Sequence, residues 1–139
     1  KVAETDLSID KEVDERSIKI AQTEDNIVLD SRLGFHFIPN SFKVFLELNP
    51  NIASERILND KKNNPNRHME ATGAFDTKEN ILHSISERLN LEKNRYKELY
   101  GIEDNTSPNN FDLVINTEKI PLEEVCKKVI EEYNSWLNQ

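Results

Sequence analysis

Three short apolar runs punctuate the chain: Ile27-Val28-Leu29 inside Asn26–Arg32, then Lys43–Leu48, then Asp112–Thr117. None is followed by a hairpin turn. Each leads into a helix-forming stretch or a long crossover. Antiparallel neighbours can be joined by two residues, whereas parallel neighbours need a crossover of a dozen or more. Apolar strands alternating with helices therefore predict an α/β fold with a parallel sheet. Ligands of such sheets sit beyond the carboxyl ends of the strands. Asp30, Ser31 and Arg32 lie where the first run turns polar, which makes them candidates for a site.

The segments between these runs carry helix signals. Asp10 can cap a helix reaching Gln22, with Val13, Ser17, Ile20 and Ala21 on one side. Phe35–Ser41, with Pro39, reads as a loop. Asn49 and Pro50 form an N-cap and a first-turn proline for a helix whose inner side holds Ala53 and Ile57. Residues 59–75 are rich in Asn, Pro and Gly and read as an exposed, mobile loop. Asp76 with Glu79 resembles a capping box. The helix that follows is expected to run to Leu99, with Ile81, Ile85, Leu89, Tyr96 and Leu99 on one stripe and Gly101 as its stop. Pro121 opens the last helix, with Glu123 and Glu124 in its first turn. Leu122, Val125, Val129, Ile130, Tyr133 and Trp136 make its apolar face.

With 139 residues, one domain is the expectation. The net charge of −8 argues against a nucleic-acid polymer as partner, since such binders carry a basic face. No apolar run is long enough to span a membrane, and the polar N-terminus shows no signal peptide. A single cysteine, Cys126, excludes an internal disulfide, and a cytoplasmic setting is expected. The charge is uneven. Residues 56–97 hold nine Lys/Arg and six Asp/Glu, a net of +3, against −11 for the remainder. A basic island in an acidic chain suits a small anionic ligand, and it also suits a solvated helix face.

Within that island Arg88, Glu92 and Arg95 fall within about 60° of one another on a helix. Their sector overlaps the stripe of Ile81, Ile85 and Leu99. Two guanidiniums on one inward edge can grip phosphate oxygens bidentately. The same spacing also makes plain helix-surface pairs, Arg88–Glu92 and Glu92–Arg95. Arg32 is the second candidate, either in a site or paired with Asp30 or a helix carboxylate. His36, His68 and His83 have no metal-ligand spacing, and Cys126 reads as packing. The only glycines are Gly34, Gly73 and Gly101, and none fits the G-x-x-x-x-G-K-[ST] pattern of a phosphate-binding loop.

The order of five segments resembles the cytidylate kinase-like family of nucleoside monophosphate kinases. NIVLDSR is similar to the family's strand ending in an acid–Gly–Arg turn. KVFLEL, the Pro50 helix and Glu55-Arg56 are similar to the strand and helix that follow. RLNLEKNRYKELYGI resembles the lid-side motif with two arginines seven residues apart, and FDLVINT resembles the last strand. The likeness extends over nearly the whole chain. It implies a three-layer P-loop kinase fold with a five-stranded parallel sheet, ATP as donor, CMP or dCMP as acceptor, and magnesium bridging the phosphates. Arg88 and Arg95 would be catalytic lid arginines. Arg32, Asp30 and Glu92 would bind the acceptor, and Arg56 would serve the phosphate and lid side. The implied parts are residues 1–25 as the monophosphate-side helix, 26–58 as core, 59–99 as lid region and 100–139 as the closing strand and helix.

Ser31 stands where that family usually has glycine, Leu89 where an acid is common, and Glu92 where an aspartate is one methylene shorter. The family's strand–phosphate loop–helix is not among these residues. Its first strand would lie between those resembling NIVLDSR and KVFLEL. Without it the apolar edges are expected to stay unpaired, at about 1–3 kcal/mol per buried polar group. These residues are therefore expected to be part of a longer protein. Three alternatives remain open: a non-catalytic nucleotide-binding module, an interaction module, and a same-fold kinase for another small acceptor.

Overall fold

The computed structural model describes residues 7–64 and 77–139. The elements in chain order are α1 (Leu7–Thr23), α2 (Gly34–Phe37), β1 (Val44–Glu47), α3 (Pro50–Asn63), α4 (Lys78–Tyr100), a 3-10 turn at Pro108–Asn110, β2 (Leu113–Asn116) and α5 (Leu122–Leu137). The result is an α/β structure with a small parallel sheet. β1 pairs with β2 in the register Val44–Leu113 through Glu47–Asn116. The ladder is extended at both ends, where Asp112 and Leu113 donate to Lys43 O and Thr117 donates to Glu47 O.

Helix ends follow local chemistry. The Asn49 side chain accepts from Asn51 N at 2.9 Å, and Pro50 occupies the first turn, where its missing N–H costs nothing. Thr77 caps α4 by accepting from Asn80 N at 3.2 Å. Asp76, read above as part of a capping box, lies outside the described residues. Gly101 closes α4 at φ 69°, with its N–H donated back to Lys97 O. Only glycine adopts that left-handed turn without a Cβ penalty. Gly101→Ala is therefore expected to lower stability by about 1 kcal/mol. Urea unfolding would read this as a lower midpoint at constant m-value, and an unshifted midpoint would contradict it.

α3 packs on α4, with Ser54 fully buried on the α3 side and Ile81 and Tyr96 buried on the α4 side. Ile115 of β2 and Val125 of α5 are buried where the helix meets the sheet. Phe42 joins the packing at 5.7 Å from Tyr133 and 5.8 Å from Trp136. Phe111 stacks on Phe45 at 4.9 Å and reaches Phe35 at 5.4 Å, tying α2 to the sheet.

Several expectations need correction: α1 begins at Leu7, so Asp10 lies inside it and is not its N-cap, the expected Phe35–Ser41 loop begins within α2, and Cys126, expected as packing, is exposed. Asn26–Arg32 is not a strand: Ile27-Val28-Leu29 has no ladder partner among the described residues, and Val28 is 99% exposed. A strand exists only through its hydrogen bonds to a neighbour, and apolar character alone does not supply one. The loop expected from residue 59 begins later, because α3 continues to Asn63 and closes with Asn64 N donating to Asp60 O at 2.8 Å. Residues 65–75 of that expected loop lie outside the described residues. The apolar face of α5 is only half covered. Val125 is buried, while Leu122 is 78% exposed and Ile130 is also exposed. Leu46 of β1 is 52% exposed as well.

Candidate functional site

The turn before α2 and the middle of α4 meet at one carboxylate. Leu33, almost fully buried, anchors that turn, and its N–H donates to Ser31 Oγ at 3.4 Å. The neighbouring Arg32 is thereby directed at α4, where its Nη1 donates to Glu92 Oε1. Arg88 approaches the same oxygen from one helical turn away, with Nε at 3.7 Å. That is an ion pair but too long for a hydrogen bond. The Glu92 side chain is 9% exposed, against 57% for Arg32 and 61% for Arg88. A carboxylate this buried requires such partners.

The charge balance leaves the cluster cationic, with two guanidiniums sharing one carboxylate. Each guanidinium carries five N–H donors in a rigid fork. The outward parts of Arg32 and Arg88 are therefore available to oxygens of an anion arriving from solvent. A buried acid shared by two arginines draws both toward one point before a ligand arrives.

The other candidates are placed separately. Arg95 lies on the same sector of α4, half-buried and engaged in interactions of its own. Asp30 is exposed, and no hydrogen bond or ion pair joins it to Arg32 or Glu92. Arg56 is spent elsewhere: its Nη2 donates to Thr117 O at 2.8 Å and Glu118 O at 3.0 Å, clasping the segment after β2. Beside it Glu55 pairs with Lys78, linking α3 to the first turn of α4. Among the described residues His83 pairs with Glu87, at 3.8 Å on the α4 surface. Among the described residues no group of three or more His, Cys, Asp or Glu could hold a metal ion. No described helix is long and apolar enough to cross a membrane.

Sequence reasoning missed a second meeting point. The Tyr100 hydroxyl donates to Asp14 Oδ2 at 2.5 Å, joining α4 to α1 across 86 positions. Phe37 packs edge to face on Tyr100 at 5.0 Å. The aromatic density of Phe35-His36-Phe37 was the one available signal, and it carried no partner information.

Comparison with known proteins adds a relationship. No family model matches the chain, and no solved structure does. Over 137 residues the chain is 31% identical to a cytidylate kinase of Sulfurisphaera tokodaii, covering 99% of the chain and 69% of that enzyme. It is 35% identical over 121 residues to a cytidylate kinase of Methanosarcina acetivorans, covering 85% of the chain and 60% of that protein. It is also 37% identical over 125 residues to an S-adenosylmethionine-dependent nucleotide dehydratase of Lacinutrix mariniflava. That match takes in 90% of the chain but spans only 23% of the dehydratase's length.

Proposed function

This chain belongs to the cytidylate kinase-like family, and we propose that it forms the acceptor side of a nucleoside monophosphate kinase moving the γ-phosphate of ATP to CMP or dCMP. The observation that carries this reading is the convergence of Arg32 and Arg88 on the buried carboxylate of Glu92. In this reading Arg32 takes the acceptor's phosphate. Arg88 and Arg95 meet the phosphoryl group in flight, and Glu92 holds the arginines and faces the acceptor. Asp30 borders the acceptor beyond Arg32, and Arg56 would serve the phosphate and lid side with the donors not used on Thr117 O and Glu118 O. Phosphoryl transfer asks a protein mainly for positioning and charge stabilisation, and arginine forks supply both.

The proposal includes a three-layer P-loop fold divided as the resemblance implies, into 1–25, 26–58, 59–99 and 100–139. A strand from a phosphate-loop segment would pair with the open edge of β1 beside Ile27–Leu29. The exposed Val28, Leu46 and Leu122 support it, because an apolar strand and its helix would cover such surfaces. Magnesium would come bound to the phosphates of ATP, since among the described residues no group of three or more His, Cys, Asp or Glu could hold it.

Binding tests the acceptor site. CMP is expected to bind roughly tenfold or more tightly than cytidine, the gain of a charge-assisted phosphate contact. Arg32→Ala should close most of that gap in calorimetry. Equal affinities for CMP and cytidine would contradict the site. A second reading draws on the dehydratase, which is named for an activity on nucleotides. There the chain is a nucleotide-binding module that does not phosphorylate its ligand. It shares the binding result and differs in transfer.

A further inference from the structure

Arg32 sits in a turn that is anchored firmly on one side only. Downstream, Leu33 is 2% exposed and fixes the chain at the start of α2. Upstream, Val28 is exposed and Ile27–Leu29 has no ladder partner among the described residues. We infer that Ser31 is a positioning residue for Arg32: its side chain closes the turn, and the strength of phosphate binding depends on the match between that closed turn and the reach of Glu92. This rests on the proposed function and deepens it by naming what sets the aim of the acceptor-phosphate arm.

Three observations carry it. The Ser31 hydroxyl accepts from Leu33 N at 3.4 Å, so a ring of side chain and backbone spans Arg32 and narrows its freedom. That length is at the long end for a hydrogen bond, and its contribution is correspondingly small. The Ser31 side chain is folded back toward α2, since a Cβ added at Gly34 would stand 3.4 Å from Ser31 Cβ and 3.5 Å from its Oγ. Serine also restricts the backbone where glycine would leave it free. The far end of the arm is equally fixed. Arg32 Nη1 donates to Glu92 Oε1, and the Glu92 side chain is almost wholly buried, so the carboxylate has little room to follow a displaced guanidinium.

The two ends are therefore matched. Glu92 meets Arg32 and Arg88 through the same oxygen. An aspartate there would draw that oxygen back by one methylene, and a turn closed by Ser31 cannot follow it. A glycine at position 31 would release the turn: Arg32 would lose its fixed aim and gain the freedom to reach a shorter acid. Ser31 and Glu92, which flank the Arg32 arm at its root and its tip, are also two positions at which the chain departs from the glycine and aspartate of the family it resembles. Residues that act on one shared partner couple energetically.

The test is a set of calorimetric titrations with CMP, and with cytidine as the ligand that lacks the phosphate. Ser31→Gly should weaken CMP binding by roughly fivefold, the loss of a weak hydrogen bond and of a stiffer backbone, and leave cytidine binding unchanged. Ser31→Thr keeps the hydroxyl and should restore CMP binding. In an Arg32→Ala background Ser31→Gly should have no effect, because Ser31 acts through that arginine. Glu92→Asp should weaken CMP binding, and by a smaller factor when Ser31→Gly is already present. Unchanged CMP affinity in Ser31→Gly, an equal loss for cytidine, a loss that persists without Arg32, or strictly additive effects of Ser31→Gly and Glu92→Asp would overturn the inference. Failure of the arginine reading is separate, since it appears as CMP binding no tighter than cytidine in the unsubstituted protein, and it removes this inference with it.

Discussion

If these residues form the proposed kinase site, Arg88→Ala in an active enzyme that contains them is expected to lower kcat by roughly a hundredfold or more, about 3 kcal/mol, the usual loss of one preorganised electrostatic partner. The expectation follows from placement. Arg88 is held within 3.7 Å of the Glu92 carboxylate while most of its side chain faces solvent, so its free donors are aimed before substrate arrives. Interactions made only in the transition state fall on kcat and not on KM alone. Arg95→Ala is expected to behave in the same direction. Arg88→Lys should also be impaired, because lysine keeps the charge but loses the planar fork. If Arg88 served only as a helix-surface partner of Glu92, its removal would cost about 0.2–0.5 kcal/mol of stability and leave turnover near normal. Steady-state kinetics beside thermal unfolding separates the two outcomes.

The 139 residues by themselves are expected to form no CDP from ATP and CMP. Transfer requires a backbone cradle and a lysine on the β- and γ-phosphates. None of the three glycines belongs to a phosphate-loop pattern, and Gly101 serves as a helix stop. Acceptor binding should persist, because Arg32, Arg88 and Glu92 are already assembled. A CMP titration and a CDP assay on one preparation check both halves. Robust CDP formation by these residues alone would remove the dependence on a phosphate loop.

What could be read in advance followed how local each signal was. KVFLEL and DLVINT were legible because each carries its own apolar pattern, and β1 and β2 do pair in parallel. α4 was legible from the spacing of Ile81, Ile85 and Tyr96, and its end from Gly101. Ile27-Val28-Leu29 has the same composition yet forms no strand, since a strand is defined by a neighbour and not by its own residues. α3 ran on through Lys61 and Asn63 where asparagine density suggested a loop, because lysine is a good helix former and Asn59 O accepts from the Asn63 side chain at 3.0 Å. In the site, the Arg88–Glu92 pair was legible as an i,i+4 spacing. The Arg32–Glu92 contact spans 60 positions, and only its candidate partners could be named. The Asp14–Tyr100 bond had no local signature at all.

The most direct measurement joins these 139 residues behind the strand–phosphate loop–helix segment of the Sulfurisphaera tokodaii cytidylate kinase and assays the purified product. The acceptor-side reading predicts that the chimera converts CMP to CDP at the expense of ATP, and that Arg88→Ala within it removes most of that turnover. A folded chimera that binds both ATP and CMP yet forms no CDP would contradict it and leave the chain as a nucleotide-binding module.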